Sequence, residues 1–201
     1  MQGTRDVPRW ARRALGTVGS LLVIAAIAGC ETTTTGDDSE AATSGDAVKC
    51  GNVATDDCTP HVGSRQAVRV DALVWRVRSV ETTPTIGDQQ YGLGETANGV
   101  YLVADLSVTS RKNESATISD DVISLVVDGG NVYSPDSDGT FAAMTEGQDP
   151  LLLTDIGPDT TLSAPVVFDV PPKVLGKKLE LRFSELGFGS TEGFIRLPAL
   201  Q

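Results

Sequence analysis

Residues 99–108 read Gly-Val-Tyr-Leu-Val-Ala-Asp-Leu-Ser-Val. Val100, Leu102, Ala104, Leu106 and Val108 fill every second position. Successive strand side chains point to opposite faces, so this run puts five apolar groups on one face of one extended segment; a 3.6-residue period would scatter them around an axis. The same alternation continues outward. Upstream, Val68 and Val70 hold one phase and Leu73, Trp75 and Val77 the other, with Asp71-Ala72 between them, which predicts a bulge or tight turn joining two strands. Downstream, Ile123, Leu125 and Val127 lead into Asp128-Gly129-Gly130-Asn131, a hairpin signal, and then Val132 and Tyr133. Leu162, Ala164, Val166, Phe168 and Val170 form another long strand, entered through Gly157-Pro158 and stopped by Pro171-Pro172. Leu179, Leu181 and Phe183 alternate with Lys178, Glu180 and Arg182, and Ile195 and Leu197 end at Pro198. Seven or eight such strands without βαβ spacing predict an all-β, immunoglobulin-like antiparallel β-sandwich over residues 64–201, although a closed barrel satisfies the same pattern.

Composition agrees. The chain has 201 residues, with 21 Gly and 10 Pro, too many for a helical bundle or coiled coil, while 40% hydrophobic content is too much for a wholly disordered polymer. The amino terminus is different in kind. Arg5, Arg9, Arg12 and Arg13 precede an uncharged run from Ala14 to Gly29, the n-region and h-region of a secretory leader. At 1.5 Å per residue this run spans roughly 24 Å, short of the ~30 Å hydrocarbon core, so it reads as a cleavable helix rather than a permanent span.

The run ends Ile27-Ala28-Gly29-Cys30, which resembles the bacterial lipobox. The resemblance implies cleavage between Gly29 and Cys30, a diacylglyceryl thioether on Cys30 and acylation, such as palmitate, of its new amine. Residues 1–29 are then a lipoprotein signal peptide, and the membrane is a partner through lipid burial at ~0.8 kcal/mol per methylene. Arg12-Arg13 is followed by Ala14-Leu15, which departs from the usual twin-arginine context, and ordinary secretion is the expected route. Residues 31–49, with four consecutive threonines and almost nothing to bury, read as a disordered tether of roughly 25 Å r.m.s. span. The Thr tract is also a possible O-glycosylation acceptor.

Removing four Arg and one Asp from 16 basic and 27 acidic residues leaves a mature net charge of -14. No nucleic-acid partner is expected, because phosphate binding needs clustered cations and single-strand binding adds stacked aromatics. Once Cys30 is acylated, Cys50 and Cys58 are the remaining thiols in an oxidising compartment, and a small disulfide loop is expected within residues 30–63. A zinc pair with His61 would want another ligand and closer spacing, and a redox couple would want CxxC.

Residues 65–198 resemble the telokin-like domain of unknown function of Gram-positive lipoproteins, related in fold to small secreted immunoprotective antigens of mycobacteria. The resemblance is carried by residues 99–108, by Asp128-Gly129-Gly130-Asn131-Val132-Tyr133, by Ile156-Gly157-Pro158, and by Pro165 to Pro171 with its Phe168-Asp169-Val170-Pro171 ending. Ser110-Arg111-Lys112-Asn113 departs from the family, which places Asn directly after the central strand. The resemblance implies a scaffold and brings no catalytic residues.

The chemistry-bearing residues are few. His61 is the only histidine, and no serine sits in GxSxG, so a catalytic triad has no support and His61 reads as a surface-loop residue. Asp136-Ser137-Asp138-Gly139 resembles part of a calcium loop, but aligning its glycine puts Ser134 and Thr145 at two of the strongest ligand positions. No metal and no cofactor is expected. Residues 87–94 lack any phosphate-binding spacing and read as a long mobile loop. Loops on a rigid sandwich are where binding tends to sit, so Asp88, Tyr91, Asp136 and Asp138, within 84–98 and 134–150, are the candidate binding positions. Trp75 reads as a core anchor, and Leu151-Leu152-Leu153 as a one-sided strand exposing at least one leucine. The expected function is non-catalytic binding of a protein or cell-wall partner at the envelope. The alternatives are an envelope enzyme or its accessory subunit working through paired carboxylates, and a weak calcium-dependent binder.

Overall fold

The computed structural model describes residues 51–187 and 189–200. The leader, Gly29, Cys30, the tether and Cys50 lie outside these residues. The chain forms β1 (His61–Val62), β2 (Val68–Val70), β3 (Leu73–Asp88), β4 (Leu93–Ser110), β5 (Ala116–Ile118), β6 (Ile123–Val127), β7 (Asn131–Tyr133), α1 (Ser137–Ala142), β8 (Thr154–Ile156), β9 (Thr161–Val170), β10 (Leu179–Ser184) and β11 (Glu192–Arg196). One sheet has the order β2-β3-β4-β9, a second the order β1-β11-β10-β6-β7, and β5 pairs with β8 in a small third sheet. The pairing is antiparallel apart from the short parallel β1-β11 contact. The two larger sheets pack face to face as the expected sandwich.

Alternation builds the core directly. Leu102, Ala104, Leu106 and Val108 from β4, Ala164, Val166, Phe168 and Val170 from β9, and Leu179, Leu181 and Phe183 from β10 are all buried between the sheets. Trp75 is fully buried and stacks on Phe183 with ring centroids 4.8 Å apart. Its Nε1 is the buried side-chain polar atom without a partner among the described residues, a cost of about 1–3 kcal/mol that the ring's apolar area offsets. The Asp71-Ala72 interruption is a tight turn, with Asp71 at φ 50°, joining β2 to β3. Burial of the Asp71 carboxyl is opposed by a hydrogen bond from Lys112, by the Ala72 amide and by the charges of Lys112 and Arg69, which together hold it below its ordinary range.

A register shift between Val77 and Ser79 changes the phase of β3, so Val80 faces Ala104 and rejoins the core. A second shift between Thr83 and Thr85 leaves residues 97–100 of β4 opposite Pro84 alone. The Asp169 carboxylate accepts hydrogen bonds from the amides of Asn98 (2.7 Å) and Gly99 (3.0 Å) and from Asn98 Nδ2 (2.9 Å), supplying acceptors to the bulged backbone.

Residues upstream of Ser64 also join the sandwich. Ala54 is buried in the core, Val53 bridges Arg69 beside β2, and His61 lies in β1 rather than in a loop. Leu151-Leu152-Leu153 is a turn, not a strand: the first two leucines are buried, while Leu153, at φ 61°, is exposed.

Candidate functional site

The segment 87–94, expected to be a mobile loop, is the regular end of a long hairpin. Thr85, Ile86, Gly87 and Asp88 pair with Thr96, Glu95, Gly94 and Leu93, and a single 3-10 turn, Gln89–Tyr91, closes it. Asp88 is the cap of that turn, its carboxylate accepting from the amides of Gln90 (2.9 Å) and Tyr91 (3.3 Å). Gly92, at φ 71°, ends the turn in the left-handed conformation. From the last pair with β9, Val100–Val170, to Leu93 the hairpin extends by roughly 20 Å at strand rise.

The segment 134–150 meets this hairpin. Asp136 caps α1 by accepting from the Gly139 amide at 2.7 Å. The helix lies over the outer face of the four-stranded sheet, where Ile86, Tyr101 and Val167 form a second small core with Ala142 and Ala143 packed on it. The same segment covers the edge of β9. Val167 donates its amide to Thr140 Oγ1 (3.0 Å) and accepts from the Asp136 amide (2.7 Å), and Gln148 Nε2 donates to the Ser163 carbonyl (3.0 Å). Pro165, between them, has no N–H to leave unpaired. An exposed strand edge invites pairing with other chains, and this cover removes it.

The two candidate segments therefore converge. A Cβ on Gly87 would lie 2.6 Å from the Leu93 carbonyl oxygen and 3.3 Å from that of Ala142. Leu93 follows Glu95 and its partner Ile86 on the strand face that α1 packs against. Around this junction Tyr91, Leu93 and Phe141 are 74%, 72% and 76% exposed, half of the exposed large hydrophobic residues among the described ones. They stand, largely open to solvent, along the junction of a paired hairpin and a capped helix, and this line of exposed apolar residues is the ridge. Beneath α1, burial and then the charges of Asp136, Asp169, Glu95 and Asp138 push the Tyr101 phenol above its ordinary range.

Of the four sequence-predicted binding positions, Tyr91 stands on the ridge, Asp138 sits in the first turn of α1, and Asp88 and Asp136 spend their carboxylates as caps. Leu93 and Phe141 were not among the predicted positions; both are solitary apolar residues between glycines or small residues, where no alternation buries them. Among the described residues, no group of three or more His, Cys, Asp or Glu side chains could hold a metal ion.

The opposite outer face carries a groove of about 860 Å³, lined among others by His61, Asp128, Lys177, Lys178, Glu180 and Arg196. His61 stacks on Phe194 with centroids 4.4 Å apart, and its Nδ1 lies 3.1 Å from the Glu180 carboxylate, which also accepts from Arg196 Nε at 3.1 Å. Glu180 is thus committed to two cationic or potentially cationic partners.

Comparison with known proteins gives a family and a fold. The model of a family described as Domain of unknown function (DUF4352) matches residues 62–192. No curated protein matches the chain. Among solved structures, the yjhA protein of Bacillus subtilis is similar at 8% identity and a TM-score of 0.51, the match covering 68% of this chain and 99% of that one. An uncharacterized β-sandwich protein of Clostridium difficile is similar at 15% identity and a TM-score of 0.46, over 70% and 95% of the two chains. The secreted protein MPT63 of Mycobacterium tuberculosis is similar at 12% identity and a TM-score of 0.49, over 70% and 98%. At these identities the likeness concerns the fold alone.

Proposed function

Because the chain belongs to the family described as Domain of unknown function (DUF4352), a description that names no activity, we propose from its own residues that it is an exported, lipid-anchored binding protein of the cell envelope, without catalysis. The single observation that carries the binding part is the ridge of Tyr91, Leu93 and Phe141. Large exposed apolar side chains clustered on rigid elements mark interaction sites, whereas scattered ones need no explanation. The non-catalytic part is supported by the roles already taken by the acidic residues: Asp88 and Asp136 are caps, and Glu180 is held by His61 and Arg196.

Anchoring rests on the leader and the Ile27-Ala28-Gly29-Cys30 sequence, and two or more acyl chains would hold the protein stably where one would not. The proposed Cys50–Cys58 loop, supported by the disulfide-bonded state of Cys58, would fasten the tether close to β1. The test is photo-crosslinking in intact cells from a benzoylphenylalanine placed at Tyr91, compared with the same probe at exposed Leu153. Products specific to position 91, found in the membrane fraction and lost to the medium with Cys30→Ala, are the expected result. Equal products from both positions would remove the ridge from the reading, and unchanged membrane retention of Cys30→Ala would remove the anchor.

A further inference from the structure

The segments that carry the ridge bear charge of one sign. Residues 79–110 and 113–172 contain no Lys, Arg or His, while they carry 15 Asp and Glu. Every cationic side chain of the described residues falls in the remaining segments, 61–78, 111–112 and 173–196. The hairpin end, α1 and β9 all come from the cation-free segments, and Arg78, further along the same sheet face, is paired with Asp105 at 3.6 Å. Glu95 on β4, Asp136 and Asp138 beside and within α1, and Asp169 on β9 all act on the one phenol of Tyr101, so carboxylates from three elements converge there. Asp136 and Asp169 are occupied by backbone amides. The side-chain carboxylates of Glu95 and Asp138, both exposed, have no hydrogen bond or ion pair within the described residues, whereas the Glu95 carbonyl accepts from Gln89 Nε2 at 3.1 Å.

From this geometry we infer that the ridge docks a cationic, apolar-faced polypeptide segment, whose Leu- or Phe-type side chains lie on Tyr91, Leu93 and Phe141 while its Lys or Arg reach Glu95 and Asp138. The inference deepens the binding reading above and rests on it. Charge complementarity selects the occupant: an anionic lipid surface or an anionic wall polymer meets like charge within a Debye length of about 8–10 Å, and so does a second copy of this chain presenting the same ridge. Apolar contact selects against a purely basic chain, because exposed ion pairs alone contribute little.

Three fluorescent peptides of equal length serve as probes: alternating Lys and Leu, alternating Lys and Ser, and alternating Glu and Leu. Binding to the full chain in neutral phosphatidylcholine nanodiscs is read by anisotropy, with empty nanodiscs as the blank. The Lys/Leu peptide is expected to bind, the Lys/Ser peptide more weakly and the Glu/Leu peptide not at all. Tyr91→Ser, Leu93→Ser and Phe141→Ser together leave the charge unchanged and should weaken Lys/Leu binding by about ten-fold or more. Leu153→Ser should leave it unchanged, and Phe141→Leu in the otherwise native chain should retain it. Matching thermal unfolding of the triple variant and the native chain checks the fold. Equal binding of Lys/Leu and Lys/Ser, binding of Glu/Leu, or an unchanged affinity of the triple variant would each overturn the inference. Crosslinking from position 91 in cells separates the two levels. Products with lipid or polysaccharide keep the binding reading and overturn this one, and absence of any product overturns both.

Discussion

The two outer faces of the sandwich solve the same problem in opposite ways. On the five-stranded sheet four outward residues of β10 and β11 are charged and paired, Glu180 with Arg196 and with His61 of β1, and Arg182 with Glu192, while the outward Phe194 is covered by the His61 ring. Water can cover such a face. On the four-stranded sheet Tyr101, Val103 and Val167 point outward, and they are covered by α1 and the base of the hairpin. An outward apolar residue costs stability unless something is laid over it. The comparison teaches that the cover is a consequence of the strand's second face, and that the ridge is the cover's own outer surface.

The sharpest way to break this comparison lies in two neighbouring residues of β9. Phe168 points into the main core and Val167 into the small one, and both are fully buried. Phe168→Ala is expected to cost about 3–5 kcal/mol and Val167→Ala about 1.5–3 kcal/mol, measured by denaturant unfolding. A negligible effect at Val167 would show that α1 lies on the sheet without forming a core. Next in size, Thr140→Val keeps the shape but leaves the buried Val167 amide without its acceptor, an expected loss of about 1–3 kcal/mol with faster amide exchange at Val167.

A smaller effect concerns pH. The Tyr101 phenol is raised in the folded protein, so the native state favours its neutral form. The stability this contributes is fully present below the unfolded value near pH 10 and is lost as pH rises through the folded value. Tyr101→Phe should therefore flatten the fall in unfolding temperature above about pH 10. Smallest of all, Arg196→Ala on the charged face should cost about 1 kcal/mol or less, because its side chain, paired with Glu180 at 3.1 Å, is 64% exposed.

The sandwich was legible in the sequence because its core strands are long enough for alternation to declare itself. Leu102 to Val108, Ala164 to Val170 and Leu179 to Phe183 bury the alternate positions that their period predicts, and Val100 and Leu162 are partly buried against the same core. The Asp128–Asn131 hairpin was equally legible, since Gly129 and Gly130 take φ 102° and 89°. The outer hairpin was not. Residues 82–98 are rich in Thr and Gly, their strand state comes from cross-strand pairing and from α1, and local propensity carries little of it. β1, β5 and β8 are two or three residues long, below any period. Asp88 and Asp136 did carry a readable signal, an acidic residue just before a short helical turn, which points to capping rather than to ligand binding.

The covered flank of β9 has a consequence for recognition. With Pro165 in place, and with Thr140, Asp136 and Gln148 occupying both main-chain groups of Val167 and the carbonyl of Ser163, that stretch of the border cannot be lengthened by a foreign extended peptide. Whatever visits this side of the molecule must be discriminated by side-chain chemistry, so its specificity can drift one substitution at a time while the pleated framework beneath stays as it is.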